Sequence, residues 1–406
     1  MQKILIIGAG IAGMTAALCL SRKGFNVTII EQSPAFEDIG AGIQLSPNAM
    51  QVLTQLNLAA PLKPYAFYPK AATMRHYQTG EIYFQSDLAT ATARYGTPYI
   101  HIHRADLISV LSKAVDSANI PILLNHRATE FIETNSGVTV KAHNPENTPA
   151  EIYLDADIVI GADGIHSALG AQIFQQEAPN FTYQIAWRGL VETAQLPAGL
   201  IAPEANVWVG PHQHFVAYYV RGGTLVNFVA VQEIAPNATA YAEDWHQKGD
   251  ISHLRAAFSG WDKAIETVLA TASQTHIWGL YDRTPKRQWA KERLVLIGDA
   301  AHPILPFMAQ GAALAIEDAA ILADKLTHSL PIDAALKQFE TDRKPRVSRV
   351  YQMVQKNRKI FHASTLSARL HRAILYRAAG LMPFAVQNRL DKIYNWKPPS
   401  FRTTQP

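Results

Sequence analysis

The stretch KILIIGAGIAGMTAALCLSRKGFNVTIIE, residues 3–31, decides the fold. Lys3 to Ile7 is a continuous apolar run of strand length. The alanine-rich segment up to about Lys23 has helical character, and Asn26 to Glu31 is a second, β-branched run. Strand, turn, helix and strand within about 30 residues begin a doubly wound sheet. Between the first strand and the helix lies Gly8-Ala9-Gly10-Ile11-Ala12-Gly13. A pyrophosphate can sit at a helix N-terminus only where the backbone approaches it without side chains. The first glycine permits the tight turn, the second the close approach, and the third the packing of helix on strand. Gly8, Gly10, Ala12 and Gly13 are therefore cofactor-binding candidates. Glu31, 18 residues beyond Gly13, can accept both ribose hydroxyls of an adenosine. Its charge opposes a 2′-phosphate, which leaves NAD or FAD.

Two more glycine turns follow apolar runs. Gly161-Ala162-Asp163-Gly164-Ile165-His166-Ser167 comes directly after Ile158-Val159-Ile160. Gly298-Asp299-Ala300-Ala301-His302-Pro303 comes directly after Leu294 to Ile297. An aspartate at the carboxyl end of such a strand, Asp163 or Asp299, stands where open α/β sheets place ligand contacts. Gly311, ahead of Ala312 and Ala313, reads as a helix start whose free N–H groups favour an anion.

The chain has 406 residues, 48% hydrophobic and 17% charged. That composition suits a soluble globular protein of two or three domains. The single cysteine, Cys19, falls in the helix behind the first turn and reads as a small core residue in a reducing compartment. No secretory leader and no apolar run of about 18 residues is visible, so a cytoplasmic location is expected. Eleven Lys or Arg residues and no acid lie between Arg343 and Arg389. Such a block can contact a polyanion or membrane surface, but a solvated face of C-terminal helices is the simpler reading. Leu370, Ile374, Leu375 and Leu381 then suit helices packed on the body. No nucleic-acid-binding motif accompanies the charge.

A hairpin pattern with Thr79-Gly80 at its turn spans Thr73 to Gln85, and Ser46-Pro47 opens a helix that runs to about Leu56. Tyr183–Glu192, Asn206–Val209, Phe215–Val220 and Thr224–Val231 read as antiparallel strands. Helical patterns fill about Ala240 to Ala270 and most of the chain after Gly311. The expected organisation is a discontinuous α/β nucleotide-binding domain of residues 1–72, 99–180 and 276–330. A β-rich substrate domain takes 73–98 and 181–275, and a helical region takes 331–406.

The three turns, in this order and at these separations, resemble the single-component flavoprotein aromatic hydroxylases, a family that includes the salicylate, 3-hydroxybenzoate and 6-hydroxynicotinate hydroxylases. The resemblance covers almost the whole chain. It includes Gly40-Ala41-Gly42-Ile43-Gln44 with Pro47-Asn48, His103-Arg104-Ala105-Asp106-Leu107, Asp163-Gly164, and Gly298-Asp299 through Asp318. It implies a Rossmann-like FAD-binding domain with an inserted β-rich domain and C-terminal helices. It also implies that Glu31 binds the FAD ribose, that Arg104 contacts the cofactor, and that Asp299 holds its ribityl–pyrophosphate region. Gly42 and Ile43 would belong to the cofactor site, and Gly311 to Ala313 to the pyrimidine edge of the flavin. The Asp163-Gly164 turn is associated with FAD and with transient NADH or NADPH. The implied reaction is hydroxylation of a small phenolic or N-heteroaromatic acid by O2 through a flavin C4a-hydroperoxide. One departure stands out: Gly170 occupies a position where the family usually has arginine.

Ring hydroxylation gains speed when the substrate hydroxyl is deprotonated, and histidine is the side chain suited to that task. Of fifteen histidines, His302 is singled out by its place after the third turn. His214 is singled out at the start of a strand whose alternation puts Val216 and Tyr218 on the same face. The resemblance assigns substrate contact to the positions of His214 and Tyr218; for each, a purely structural hydrogen bond is the alternative. Gln44, Arg188 and Pro303 are further substrate-pocket candidates. Arg188 serves either as a bidentate carboxylate partner or in a salt bridge within the sheet. No metal-ligand spacing or nucleophile elbow appears. The rival readings are a same-fold monooxygenase acting on a larger non-phenolic substrate and a non-catalytic flavin-binding protein. Monomer and homodimer are both compatible with the sequence.

Overall fold

In a computed structural model, which describes residues 2–36, 41–144, 146, 150–237, 241, 247–285 and 288–400, the early apolar runs form the centre of a parallel sheet. Lys3–Ile7 lies between Asn26–Ile30 and Ile158–Gly161. Ile122–Leu123 and Leu294–Leu296 extend this sheet, and Ala290–Lys291 adds an antiparallel edge. Parallel strands are covered on both faces, which is why they read as unbroken apolar runs. Helix Ile11–Arg22 packs against helix Gly311–Leu326 on one face, and Cys19 is buried there among apolar neighbours. Burial raises its thiol pKa, so it stays a neutral core residue.

A second sheet has eight strands. Ala205–Gly210, Gln213–Val220 and Leu225–Glu233 form a meander, closed by Arg221-Gly222-Gly223, and Leu225–Glu233 pairs in turn with Asn180–Glu192. The hairpin Ala71–His76 and Ile82–Asp87 joins in parallel along Ala205–Gly210. Thr275–Asp282 also belongs to this sheet, so the expected boundary at 275/276 falls inside a strand. Hydrogen bonding along Asn180–Glu192 and the burial of Ile277, Trp278 and Leu280 hold it there.

The pattern expected over 240–270 resolves into helices Ile251–Ala257 and Lys263–Thr271. Asp250 and Asp262 cap them by accepting from Ser252 N and Ala264 N. Ala240, like Gly40, lies outside the described residues. Pro47–Gln55 is a helix as expected, but the Ser46 hydroxyl does not cap it; it donates instead to Asn48 Oδ1 at 2.6 Å.

The C-terminal region forms helices Ile332–Phe361, Leu366–Leu381 and Pro383–Tyr394, and it corrects two expectations. Arg343 and Arg372 are buried, at 1% and 2% exposure, so the basic block is not simply a solvated face. Leu370, Ile374 and Leu381 face outward, and Leu375 is partly exposed. Helical periodicity marks a stripe without saying which stripe turns inward. Here the Leu366–Leu381 helix turns Arg372 and Tyr376 to the body. Arg372 Nη1 donates to Phe361 O at 2.8 Å and to Gly210 O at 3.2 Å. Phe361 ends the preceding helix, where carbonyls lack helical partners, so an arginine is the donor that end requires. No helix among the described residues is long and apolar enough to cross a membrane.

Candidate active site

The three glycine turns meet. Gly8 has φ +100°, and a Cβ there would lie 2.6 Å from Ala162 O in the second turn. A Cβ on Gly298 would lie 3.1 Å from the Cβ of Ala12, and one on Gly13 would lie 1.9 Å from Gly8 O. Gly10 differs: nothing stands within 4 Å of its Cβ position. It is the N-cap of helix Ile11–Arg22 with no side-chain cap, so a row of N–H groups faces open space. The Glu31 carboxylate is fixed over this turn by Ala9 N at 2.7 Å and Ser33 N at 2.9 Å.

Arg104 begins helix Arg104–Ser117. Burial lowers its pKa, while the charges of Glu31 and Asp299 oppose that shift, which places one guanidinium between carboxylates of the first and third turns. Burial likewise raises the Asp299 pKa, with Arg104 acting against it. Asp163 Oδ2 accepts from Ala168 N at 2.8 Å, whereas its Oδ1 is buried without a partner. Helix Gly311–Leu326 has no acid in its first turn. Gly42 and Ile43 lie on a short ribbon paired with Ile100–His103, and Gly42 N donates to Asn227 Oδ1 at 2.7 Å.

Behind the third turn is a buried charged network. His302 Nε2 is 2.6 Å from Asp318 Oδ2, which also accepts from Gly298 N at 2.9 Å. Arg343 Nε donates to Asp318 Oδ1 at 2.7 Å, and its Nη1 to Glu317 Oε2 at 2.8 Å. Burial would raise the Asp318 pKa, but His302 and Arg343 outweigh it and hold the group at about 2.

The substrate candidates are split by the structure. A cavity of about 420 Å³ lies between the large sheet, the 306–309 loop and the C-terminal helices. His214 and Gln44 line it; Tyr218, Arg188, His302 and Pro303 do not. His302 is held away by Asp318. Pro303 is buried, and Pro306 to Ala309, a few residues on, reach the cavity instead. Arg188 is buried with its guanidinium 5.1 Å from the centre of the Trp278 ring. Tyr218 lies against Gly42, where a Cβ would come within 2.8 Å of its hydroxyl. It hydrogen-bonds Gln44, whose Oε1 also accepts from Tyr99 OH at 2.7 Å. Tyr218 thus lies behind the wall.

His214 is 3% exposed. Its ring lies 4.9 Å from Phe307 and 5.4 Å from Phe361, and its Nδ1 is 2.7 Å from His362 Nε2. Burial, reinforced by His362, lowers its pKa well below the usual imidazole value, so His214 is neutral.

A family model described as an FAD binding domain matches residues 1–354. The chain belongs to the flavin-dependent aromatic hydroxylase family. Among its relatives, the 3-amino-4-hydroxybenzoate 2-monooxygenase PtmB3 of Streptomyces platensis is 36% identical over 364 residues, covering 89% of this chain and 88% of the relative. The 6-hydroxynicotinate 3-monooxygenase of Pseudomonas fluorescens is 33% identical over 365 residues, covering 87% and 91%. The fold also matches Klebsiella pneumoniae HpxO complexed with FAD and uric acid, with a TM-score of 0.82 at 24% identity over 96% and 97% of the two chains.

The hydroxylase is an FAD enzyme, and its residues fit that cofactor. Open space at Gly10, uncapped N–H groups, the orphaned buried Asp163 Oδ1 and the guanidinium between two carboxylates are what a pyrophosphate with two sugar-like chains requires. Near Gly170, where the resemblance implies an arginine, Arg283 approaches the second turn. A Cβ at Gly170 would lie 2.5 Å from Gln176 Oε1. That oxygen accepts from Arg283 Nη1 at 2.9 Å, and Arg283 Nη2 donates to Ile165 O in the second turn at 3.1 Å.

Sequence reasoning missed several residues lining the hydroxylase cavity: Tyr99, Phe307, Tyr376, Arg389 and Tyr394. It also missed His362, which backs His214. Phe307 falls inside the Gly298–Asp318 segment without having been singled out, the others belong to no short motif, and only Arg389 had drawn notice, as one charge in a basic block.

Proposed function

We propose that this flavoenzyme hydroxylates a small phenolic or N-heteroaromatic acid, with NADH or NADPH as reductant and O2 as oxygen source. The carrying observation is the chemistry of the cavity wall. It is apolar and aromatic, with one neutral imidazole, His214. Arg389 at its exposed edge is the one permanently charged group among the described lining residues. A planar acid with a ring hydroxyl matches that set: hydroxyl to imidazole, carboxylate to guanidinium. The relatives named for 3-amino-4-hydroxybenzoate and 6-hydroxynicotinate support the same substrate class.

Bound FAD supplies reduction and oxygen activation, chemistry that no side chain provides. Gly8, Gly10, Ala12, Gly13, Glu31, Arg104, Asp163 and Asp299 would hold it, with Gly311, Ala312 and Ala313 at the start of their helix favouring negative charge on its ring. The 306–309 loop leads from the cavity to that helix start, so substrate and ring would be neighbours. His214 takes the proton from the substrate oxygen, which raises electron density on the ring carbon to be hydroxylated. Tyr99 and Tyr218 fix Gln44 at the wall, and the aromatic residues around His214 exclude water. In this reading the parallel-sheet unit carries the cofactor, and the eight-stranded sheet with the C-terminal helices shapes the cavity.

The test is a panel of hydroxylated benzoates, pyridines and phenazines. It is scored for NADH and NADPH oxidation and for hydroxylated product rather than peroxide. Coupled product from at least one phenolic or hydroxypyridine acid is expected. If a bulky polyene or antibiotic stimulates turnover while every such acid fails, the substrate class is wrong.

A further inference from the structure

His214 is not an isolated base. Its Nδ1 lies 2.7 Å from His362 Nε2. His362 Nδ1 lies 3.0 Å from Glu233 Oε1, and Glu233 Oε2 lies 2.8 Å from His212 Nδ1. Side-chain exposure rises along this line from 1% at His362 to 32% at Glu233 and 59% at His212. Four elements bring the groups together: the strand holding His214, the end of helix Ile332–Phe361, the end of strand Leu225–Glu233, and the turn before Gln213. Backbone bonds hold the register, with His212 N donating to His362 O at 3.3 Å and Glu233 N to His212 O at 2.9 Å.

A hydrogen bond between two imidazoles holds a single proton, so the His214–His362 contact has a direction. A buried pair also resists carrying net charge. Burial lowers the His362 pKa, and Arg358 and His212 add to that, against the pull of Glu233. At Glu233 burial is outweighed by its bonds to His362 and His212, which hold its pKa at about 2. A proton reaching Glu233 is therefore passed on rather than kept. Gln184 Nε2 donates to Glu233 Oε1 at 3.4 Å and lies 3.1 Å from His362 Nδ1, to which it can donate only when that nitrogen is unprotonated.

We propose that His214, His362, Glu233 and His212 form a proton relay that carries the substrate's hydroxyl proton from the closed cavity to solvent. The inference rests on the aromatic-substrate reading given above. The resting relay has protons on Nδ1 of His214 and of His362, and Glu233 is ionised. The phenol O–H bond breaks as its proton goes to His214 Nε2. The Nδ1 proton of His214 passes to His362 Nε2, and the Nδ1 proton of His362 passes to Glu233 Oε1. From there it leaves to water, directly or through His212. No electrons change hands: one phenol becomes a phenolate, one proton enters solvent, and both imidazoles exchange tautomers. Running the relay backward protonates the product oxygen on release and restores the starting tautomers.

The test uses the oxidised, FAD-loaded full chain without reductant, so it is independent of turnover. Protein is mixed in weak buffer with 3-amino-4-hydroxybenzoate, 6-hydroxynicotinate or 3-hydroxybenzoate. Binding is read from the flavin spectrum and proton release from an indicator dye. The unaltered enzyme should release about one proton for each molecule bound. H362Q keeps a hydrogen-bonding side chain and E233Q keeps its shape, but neither passes a proton on. Both should bind within about threefold of the unaltered enzyme and release the proton on the order of 10²-fold more slowly. Added imidazole should restore release in E233Q, which a purely structural role for this group would not produce. If the variants release protons at the unaltered rate, the relay is wrong and the substrate reading stands. If the unaltered enzyme binds one of the three and releases no proton, the relay is wrong; if it binds none of them nor any other acid of the panel, the substrate reading fails and the relay falls with it.

Discussion

His302, under the third glycine turn, and His214, at the wall of the cavity, are buried almost equally, at 2% and 3% exposure. Their surroundings are opposite. His302 is bound to Asp318, which in turn holds Arg343, so its ring belongs to a fixed cluster of charges. His214 is bound to another imidazole among phenylalanines, and its cavity-facing side bears no fixed charge. Burial alone therefore does not mark a reactive histidine. His302 is tied into a closed cluster of buried charges, whereas His214 connects through His362 to groups that reach solvent.

The comparison is broken most severely at Arg343. R343M leaves Glu317 and Asp318 buried with less compensation and should cost about 3–5 kcal/mol of stability. Denaturant unfolding of the FAD-loaded protein reads this, and a loss of under about 1 kcal/mol would mean the cluster is not a stabilising unit. His214 should respond in the other way. H214Q should keep FAD and fold stability but lose on the order of 10²-fold in kcat on whichever aromatic acid the panel selects. Unchanged kcat with normal flavin content would remove His214 from catalysis.

Acid sharpens the same contrast. The Asp318 pKa is depressed in the folded protein to about 2, below the unfolded value of about 3.9. Its contribution to stability is therefore complete above about pH 4 and fades as pH falls toward 2, by on the order of 2 kcal/mol. Because Arg343 is one of the charges that depress the Asp318 pKa, the loss should be smaller in R343M, which a pH series of unfolding midpoints for both proteins would reveal. The smallest effect is expected at Arg389. This exposed charge should affect mainly affinity, so R389M should raise KM for a carboxylated substrate about tenfold, with kcat nearly unchanged. An equal effect on the matching decarboxylated phenol would show that Arg389 does not read the carboxylate.

How far the site could be read in the sequence follows from how each half is built. Around the turns, the demand is local. Gly13 must lack a Cβ because Gly8 O is 1.9 Å away, and Glu31 must end the next strand to reach Ala9 N. Such demands leave residues at fixed spacings. Around the cavity, Gln44 and Tyr394 come from opposite ends of the chain, and His362 meets His214 across 148 residues. No spacing records that meeting. Arg372 and Leu370 show the same limit: the basic and apolar stripes were visible, but which one turns inward depended on the open carbonyls of the preceding helix.

By itself, then, the sequence determined the parallel-sheet core, the order of the three turns and the groups suited to FAD, because backbone geometry at a phosphate site restricts residue type over short distances. Only the tertiary structure decided which histidine faces a cavity, that Arg389 rather than Arg188 stands at its edge, and that His362 backs His214. Those choices depend on how distant elements pack, and packing leaves no periodic trace in the chain.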